Sequence, residues 1–196
     1  MTEYPNWFEV TAKYYFDKHL VPLAGTKLRA LQIGAFTGDA SCYLLENVLT
    51  HDESLLFDVD TWQGSEEVTH KEFDWADVEK TYDEKVAAYG KKVIKNKMTS
   101  VDFLVNNKPP KYDFIYIDGD HTTFGVFLDA MLSWVWLKTG GIMAFDDYKW
   151  GEDTPDMPAQ LKPRLGIDTF AYLYAPEMKL LDFGQQVWLQ KIEPAS

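Results

Sequence analysis

The sequence predicts an α/β protein with a doubly wound, mainly parallel sheet that is closed by an antiparallel hairpin. Apolar strand-like runs alternate with helix-like runs along most of the chain, which is the pattern of βαβ units. The run DFIYID at 113–118 is almost unbroken in apolar residues, as in a parallel strand covered on both faces. The tail has two apolar runs, 178–183 and 185–192, on either side of Gly184, and this spacing is typical of a hairpin.

The other elements follow from hydrophobic spacing and from the residues that begin and end helices. Strand-like runs lie at residues 27–34, 54–60, 92–97, 113–118 and 142–145. Helix-like runs lie at residues 6–20, 38–49, 74–90, 99–107 and 123–138. Asp74 is a suitable N-cap for the third of these helices, and Gly90 is a suitable C-terminal stop. The pair Gly140-Gly141 is expected to close the last helix.

Length and composition indicate one globular domain. The chain has 196 residues and is 46% hydrophobic, so we expect a single domain over 1–196, with a helical extension at 1–26. No apolar run is long enough for a membrane helix, and the N-terminus lacks the profile of a signal peptide. The lone Cys42 excludes an internal disulfide and a cysteine-built zinc site. These features favour a cytoplasmic location.

The charge balance argues against a nucleic-acid partner. The formal net charge is -12, with 31 acidic residues against 19 basic ones, whereas nucleic-acid binders gather Lys and Arg. The short basic stretch at 91–97 is interpreted as a solvated strand edge. A small-molecule ligand or a metal ion suits this composition better, and no membrane partner is expected.

Two long polar segments follow predicted strands and are interpreted as lids. The first begins at residue 63 and extends to the end of the following helix, 63–90, with its most polar part at 63–73. The second is 148–166. Both lie at the carboxyl ends of strands, where open α/β sheets bind their ligands.

Gly34 and Gly38 lie between the first strand and its helix, in the stretch QIGAFTG. Glycine allows a sharp turn there and close approach of a ligand, while the helix N-terminus offers free N–H groups to an anion. An ordinary strand-to-helix turn is the alternative interpretation. The dinucleotide fingerprint G-x-G-x-x-G is absent, because residue 36 is Phe.

An acidic residue at the end of the second strand is typical of a ribose-binding site. Asp58 and Asp60 both qualify, and Asp60 is preferred because it directly precedes Thr61 and Trp62. The alternative is an ordinary solvated loop acid.

Three aspartates are predicted to converge at one edge of the sheet. Asp118 ends the strand 113–118, while Asp146 and Asp147 end the strand 142–145. If these parallel strands are neighbours, three like charges lie close together and raise one another's proton affinity. A divalent cation such as Mg²⁺ relieves that repulsion, because it prefers oxygen ligands. The alternative is that these residues only begin turns or cap helices.

A general base is expected beside this cluster. His121 is one candidate, since an unperturbed imidazole titrates near neutrality, and Asp120 could remove a proton if it lay close to a metal-bound hydroxyl. The sequence does not rank these two catalytic candidates. The remaining histidines, at 19, 51 and 70, show no metal-ligand spacing.

Four stretches together resemble the class I S-adenosylmethionine-dependent methyltransferases, and most closely the macrocin O-methyltransferase-like small-molecule branch. They are LQIGAFTGDAS, FDVDTWQG, DFIYIDGDH and LKTGGIMAFDDY, in this order. The resemblance extends from about residue 28 to 192. It implies a three-layer, Rossmann-like fold with a seven-stranded sheet whose last strand is antiparallel.

The resemblance also implies roles for the residues of the first half. Gly34 and Gly38 match the contact with the methionine portion of the cofactor, and Asp60 matches the ribose-binding acid. Thr99 and Ser100 match the loop beside adenine.

Four further positions are expected at the cofactor. Thr61 and Trp62 adjoin Asp60, and Asp118 adjoins the cofactor as well as the metal. Gln32 occupies a position that is usually acidic in the family. It can hydrogen-bond the cofactor's ammonium group but lacks the charge.

In the second half, Asp118, Asp146 and Asp147 match the divalent-cation ligands of metal-dependent members. Asp120 or His121 matches the position of the base. The function implied is methyl transfer to a hydroxyl group of a small molecule, with a divalent cation, most simply Mg²⁺, holding the acceptor.

Other functions remain open at this point. The alternatives are a metal-independent N-methyltransferase and a non-catalytic relative that binds S-adenosylmethionine or metal. A nucleotide-dependent oxidoreductase is disfavoured by the missing glycine and by the aspartate cluster. Phe73, Trp75, Tyr148 and Trp150 could line an acceptor pocket, and the N-terminal helix or a lid helix could support a homodimer.

Overall fold

The computed structural model describes residues 4–64, 72–107 and 110–194, and the chain divides into two compact units, 1–99 and 100–196. Most of the predicted polar segment 63–73, including His70, lies outside the described residues. None of the helices in the described ranges is long and apolar enough to cross a membrane.

The first unit contains a parallel three-stranded sheet. Its strands are β1 (Arg29–Ile33), β2 (Leu55–Asp60) and β3 (Val93–Lys97), and β2 pairs with the other two. Its helices are α1 (Trp7–Thr11), α2 (Lys13–His19), α3 (Asp39–Asn47) and α4 (Trp75–Val86), with short 3₁₀ turns at Val21–Leu23 and Ala87–Lys92. The helix predicted at 6–20 is therefore two helices that meet at Ala12.

Helix α4 begins where the sequence predicts. The Asp74 side chain accepts hydrogen bonds from the N–H groups of Ala76 and Asp77, which satisfies two free donors of the first turn. The helix ends at Val86, earlier than predicted, and the chain continues as a 3₁₀ turn in which Gly90 has φ 54°.

The basic stretch at the end of the first unit is engaged within the protein itself. Lys95 and Lys97 both form ion pairs with Glu79 on α4, and the Lys95 ammonium lies 4.5 Å above the Trp62 ring. These contacts agree with the interpretation of this stretch as a strand edge.

The second unit contains a mixed four-stranded sheet in the order β4-β5-β7-β6. Its strands are β4 (Tyr112–Ile117), β5 (Leu137–Phe145), β6 (Met178–Phe183) and β7 (Val187–Lys191). Its helices are α5 (Ser100–Asn106), α6 (Thr123–Trp134) and α7 (Arg164–Tyr174), with 3₁₀ turns at Ala159–Leu161 and Ala175–Glu177. β4 and β5 are parallel, and β7 is antiparallel to both of its neighbours.

The predicted helix 123–138 is wrong at its C-terminal end. Helix α6 stops at Trp134, and β5 already begins at Leu137, where it pairs with Tyr112. The pair Gly140-Gly141 lies inside the strand, because a shift in register between Tyr112 and Phe114 accommodates the extra residues. The apolar residues between Trp134 and the glycines continue the hydrophobic spacing of the helix. The sequence therefore predicts the C-terminal end of α6 four residues too late.

The described residues form seven strands, three in the first unit and four in the second, with antiparallel pairing confined to β7. This confirms the predicted α/β class and the antiparallel C-terminal hairpin. Helix α7 is not predicted, and its first three residues fall in the segment 148–166. It packs closely on α6, because a Cβ atom added to Gly166 would lie 2.2 Å from the Thr123 carbonyl oxygen.

Candidate functional site

The glycine loop, residues 34–38, connects β1 to α3 in a tightly turned conformation. Gly34 and Gly38 have φ 85° and 84°, which are left-handed values that favour glycine. Phe36 has φ 46°, an uncommon value for a residue with a bulky side chain. Strained backbone persists only where the surrounding residues hold it, so the contacts of this loop identify the residues that keep its conformation.

The Asp60 carboxylate holds the glycine loop directly. Its Oδ2 atom accepts hydrogen bonds from the N–H groups of Ala35 at 2.8 Å and Phe36 at 3.0 Å, and Oδ1 accepts one from Trp62 N–H at 2.7 Å. Asp60 is half-buried, and among the described residues Oδ1 accepts this one bond, so it retains capacity for another donor. A ribose contact by Asp60 stays a prediction. Its support of the glycine loop is a second role, which the sequence did not predict.

The two residues after Asp60 differ in exposure. Trp62 is buried, its indole Nε1–H donates to the Phe36 carbonyl oxygen at 2.9 Å, and its ring lies 4.8 Å from that of Tyr82. Thr61 is half-buried, and its hydroxyl accepts from Gln63 N–H. Trp62 thus lies between the glycine loop and α4, with a hydrogen bond to Phe36 and a ring contact to Tyr82.

Gln32 also supports the loop. Its side chain is buried, Nε2–H donates to the Gly34 carbonyl oxygen at 2.9 Å, and Oε1 accepts from the Ser41 hydroxyl at 3.4 Å. A contact between Gln32 and the cofactor's ammonium group stays a prediction.

The structure separates the two acids considered for ribose binding. Asp60 reaches the glycine loop, whereas Asp58 is fully buried and accepts a 2.7 Å hydrogen bond from the Tyr82 hydroxyl. Burial raises the pKa of Asp58 to about 7, although the hydroxyls of Tyr82 and Ser41 act in the opposite direction.

The predicted adenine-side residues occupy different surroundings. Thr99 is exposed at the end of the first unit. Ser100 begins α5 in the second unit, and its hydroxyl donates to the carboxylate of Asp129 on α6. Asp129 is buried, and burial raises its pKa to about 7. Contacts of Thr99 and Ser100 with a cofactor stay predictions.

Three side chains of the second unit could hold a metal ion. Asp118 follows β4, His121 lies three residues later, and Asp147 follows β5. One ligand atom from each lies within 4.8 Å of the others. His121 Nε2 is 2.9 Å from Asp147 Oδ2 and 3.8 Å from Asp118 Oδ1. We call these three residues the metal triad.

The parallel register of the sheet explains this convergence. Ile117 of β4 lies opposite Phe145 of β5, and Asp146 N–H donates to the Ile117 carbonyl oxygen at 3.0 Å. The residues that follow the two strands therefore lie at one edge, as the sequence predicts. Asp147 has φ 56°, a left-handed conformation that Asp tolerates better than most residues.

Asp146 has different partners from its neighbour Asp147. It is buried, and its Oδ1 atom accepts a 2.8 Å hydrogen bond from Gln186 Nε2, which also donates to the Tyr116 hydroxyl oxygen at 3.1 Å. Burial, and then the charge of Asp147, raises the pKa of Asp146 to about 6. Of the three predicted metal ligands, Asp118 and Asp147 therefore meet with His121, and Asp146 is held by Gln186.

The electrostatics of the metal triad fit a divalent cation. Burial raises the pKa of Asp118 well above its usual range, and the negative charges of Asp146 and Asp147 add to this effect, while His121 opposes it. Two carboxylates and one imidazole are a suitable donor set for a divalent ion, whose charge would offset this repulsion.

The two candidate bases are placed differently. Asp120 is exposed, and its Oδ1 atom accepts from Thr122 N–H at 2.8 Å at the start of α6. A Cβ atom added to Gly125 would lie 2.2 Å from Asp120 Oδ2. His121 instead belongs to the metal triad, with its ring centroid 5.2 Å from that of Trp150.

The other aromatic residues named as pocket candidates are packed within their own units. Tyr148 is buried and its hydroxyl donates to Asp168 at 2.9 Å, whereas Phe73 and Trp75 pack around Phe36. Trp150 contacts the metal triad through the ring of His121.

Tyr82 and Gln186 are the supporting residues that sequence reasoning missed. Tyr82 lies on the apolar face of α4, where its spacing from Val78 and Val86 identifies it only as a core residue. Gln186 is a polar residue directly before the apolar start of β7. A polar residue at such a position indicates a buried hydrogen bond, so the sequence contained a signal for it.

Comparisons with known proteins concern the sequence and the fold of this chain. The sequence model of a family described as a methyltransferase domain matches residues 31–148, which is more than half of the chain. A curated relative, tapetum-specific methyltransferase 1 of Arabidopsis thaliana, is 42% identical over 50 residues. That match spans 26% of this chain and 21% of the relative's length.

Solved structures with low sequence identity share the fold. The O-methyltransferase NovP superposes with a TM-score of 0.68 at 14% identity, covering 92% of this chain and 80% of NovP. The O-methyltransferase TomG from Streptomyces achromogenes, in complex with SAM, gives 0.62 at 13% identity, covering 98% and 92%. The MycE methyltransferase, in complex with Mg, SAH and mycinamycin VI, gives 0.64 at 13% identity, covering 98% of this chain and 51% of MycE.

Proposed function

This chain belongs to the methyltransferase domain family, and on that premise we propose that it transfers a methyl group from S-adenosylmethionine to a hydroxyl oxygen of a small molecule. The observation that carries the choice of a hydroxyl is the metal triad, because a cation held there would bind an acceptor through oxygen. TomG and NovP, whose folds this chain shares, are O-methyltransferases.

In this proposal the first unit binds the cofactor. Gly34 and Gly38 turn the backbone so that no side chain blocks the methionine portion, and the N-terminus of α3 offers N–H groups to its carboxylate. Asp60 keeps the loop in this conformation through its bonds to Ala35 and Phe36, and its free acceptor capacity is available to a ribose hydroxyl.

The second unit holds the acceptor. Asp118, His121 and Asp147 would bind a divalent cation, most simply Mg²⁺, which would lower the pKa of an acceptor hydroxyl and fix its position. The MycE complex, which contains Mg together with SAH, supports this assignment. Asp146 would keep Asp147 in register through its bonds to Gln186 and to the end of β4.

The reaction that these residues would serve is a displacement at carbon. The acceptor oxygen forms a bond to the methyl carbon, the bond between that carbon and sulfur breaks, and S-adenosylhomocysteine leaves. The acceptor proton would pass to Asp120, or to His121 if that imidazole does not bind the cation, because a neutral imidazole has one acceptor nitrogen. Since the sulfonium methyl is already a good electrophile, alignment is the main contribution of the protein.

Trp150 supports a flat or ring-containing acceptor. Its ring is half-buried beside His121 and offers an apolar face next to the proposed cation. A cytoplasmic location and a small-molecule acceptor complete the proposal.

The test is a transfer assay with S-adenosylmethionine labelled in its methyl group and a panel of phenols, catechols, sugars and amines. We expect labelled methyl ethers with Mg²⁺ present, little transfer after chelation, and loss of transfer in Asp147→Asn. The matched control is Glu193→Gln, since Glu193 is an exposed acid in the same unit and lies outside the segment 148–166. Transfer to amines that survives chelation would indicate a metal-independent N-methyltransferase instead. Cofactor binding without transfer to any acceptor would indicate a binding protein.

A further inference from the structure

We infer that Tyr82 and Asp58 are positioning residues for the glycine loop, so that helix α4 controls the affinity of this chain for its cofactor. The inference rests on the proposed function in one respect only, namely that the glycine loop binds S-adenosylmethionine. Neither residue is expected to touch the cofactor itself, and both would act through the loop residue Gly38 and through Trp62.

The Tyr82 ring contacts the loop in two ways. A Cβ atom added to Gly38 would lie 3.0 Å from Tyr82 Cδ2, so the ring packs directly against the last residue of the loop. The ring centroid also lies 4.8 Å from that of Trp62, whose indole N–H is bonded to the Phe36 carbonyl oxygen. One fully buried side chain thus supports both the middle and the end of the loop.

Asp58 determines where the Tyr82 ring lies. Its Oδ2 atom accepts the 2.7 Å hydrogen bond from the Tyr82 hydroxyl, and this bond joins the middle of β2 to the third turn of α4. Asp58 is also directly opposite Gln32 in the β1–β2 register, and Gln32 donates to the Gly34 carbonyl oxygen at the other end of the loop. Tyr82 therefore packs against the last residue of the loop, and Asp58 lies opposite the residue that supports its first.

Core packing alone does not account for a carboxyl group at this position. Asp58 is fully buried and its carboxyl group interacts with the hydroxyls of Tyr82 and Ser41, but within the described ranges its Oδ1 atom has no partner at hydrogen-bond distance. Burying a carboxyl group with so few partners is costly, and an apolar side chain of similar size would fill the space at lower cost. A hydrogen bond that fixes the position and tilt of the Tyr82 ring gives a reason for the acid.

The experiment compares Tyr82→Phe with Tyr89→Phe. The first change keeps the ring and removes the hydroxyl bonded to Asp58. The second removes a tyrosine hydroxyl that also donates to a carboxylate, that of Glu46 near the C-terminal end of α3, whereas the glycine loop precedes the N-terminal end of that helix. Asp58→Leu is the second variant, since leucine has a similar volume and offers no acceptor to the Tyr82 hydroxyl.

Two quantities are measured for each variant. The first is hydrogen exchange of the amides in residues 34–38 of the cofactor-free protein, by mass spectrometry. The second is the dissociation constant for S-adenosylmethionine. We expect Tyr82→Phe and Asp58→Leu to speed loop exchange and to weaken cofactor binding, each about tenfold, whereas Tyr89→Phe changes neither by more than about twofold. In the transfer assay, the KM for S-adenosylmethionine should rise while kcat stays close to that of the wild type.

A merely structural role for the pair gives a different result. Tyr82→Phe would then lower the melting temperature, while loop exchange and the dissociation constant would match those of Tyr89→Phe, and the inference would be overturned. If the wild-type chain does not bind S-adenosylmethionine, the proposed function fails, and loop exchange alone decides the inference. Faster exchange in Tyr82→Phe then supports it, and unchanged exchange overturns it.

Discussion

His121 Nε2 lies 2.9 Å from Asp147 Oδ2, although the two residues follow different strands of the sheet. This short distance joins a side chain beyond β4 to one beyond β5, and Asp118 completes the group from the end of β4. Side chains gathered in this way from two strand ends are positioned by the sheet itself, which makes their geometry rigid.

The metal triad leads to the first prediction. Asp147→Asn removes a negative charge from the cluster and keeps a side chain that tolerates φ 56°, so we expect the affinity for Mg²⁺ or Mn²⁺ to fall at least about tenfold. His121→Gln should have a similar effect. Asp156→Asn is the exposed control. The measurement is calorimetric titration of the metal alone.

Asp146→Asn distinguishes the observed triad from the set of ligands that the sequence predicts. Since Asp146 Oδ1 is bonded to Gln186, we expect a smaller loss of metal affinity in Asp146→Asn than in Asp147→Asn. Complete loss in Asp146→Asn with normal binding in Asp147→Asn would show that Asp146 is the ligand and that the triad is assigned wrongly.

The second prediction concerns the support of the glycine loop. Asn at position 60 has one acceptor oxygen, so it cannot keep all three N–H bonds that Asp60 receives from Ala35, Phe36 and Trp62. We expect Asp60→Asn to lower the free energy of unfolding by about 1–3 kcal/mol and to weaken S-adenosylmethionine binding at least about tenfold. Chemical denaturation and equilibrium dialysis measure the two effects. Asp52→Asn, at an exposed acid of the same unit, is the control, and equal effects in both variants would contradict the assignment.

The third prediction tests the packing between Asp120 and helix α6. Glycine-to-alanine changes inside exposed helices usually stabilise a protein by about 0.5–1 kcal/mol. At Gly125 the new Cβ atom would lie 2.2 Å from Asp120 Oδ2, so we expect Gly125→Ala to destabilise the protein by about 1–3 kcal/mol instead. Urea unfolding gives the sign of the change in the free energy of unfolding. A stabilised Gly125→Ala variant would show that the Asp120 side chain moves away from the new Cβ atom at little cost.

The fourth prediction concerns pH. Burial raises the pKa of Asp129 to about 7, so between about pH 4 and pH 7 the folded state binds more protons at this group than the unfolded state does. This contribution to the free energy of unfolding is therefore greatest below about pH 4 and is lost as the pH rises through 7. We expect Asp129→Asn to reduce the loss of stability between pH 5 and pH 8 by about 2–4 kcal/mol.

The control for this experiment is again Asp156→Asn, because an exposed carboxyl group contributes little to the pH dependence. Parallel stability curves for the wild type and for Asp129→Asn would show that Asp129 is ionised in the folded protein near neutrality.

Several features of the site were readable from the sequence because they depend on local pattern. Apolar runs that end in acids place Asp118, Asp146 and Asp147 at one edge of a parallel sheet, and the observed register of β4 and β5 has this arrangement. The turn at Gly34 and Gly38 is likewise a local property, since glycine between a strand and a helix accommodates the left-handed backbone found there.

The remaining features depend on partners distant in sequence. Gln186 binds Asp146 from β7, and nothing near Asp146 indicates that one of its oxygens is already occupied. Tyr82 has the spacing of a core residue on α4, so its bond to Asp58 on β2 becomes visible only once the two elements pack. Sequence patterns identify the acids of this chain, and tertiary contacts decide which of them remain available to a ligand.

Binding of S-adenosylmethionine by the glycine loop is the central claim for this chain. Equilibrium dialysis with radiolabelled S-adenosylmethionine tests this claim most directly, with Asp60→Asn measured in parallel. We expect one molecule bound per chain, with a dissociation constant on the order of micromolar in the wild type and at least about tenfold weaker binding in the variant. Binding at the same affinity in both would contradict the site, and no binding to the wild type would contradict the proposed function itself.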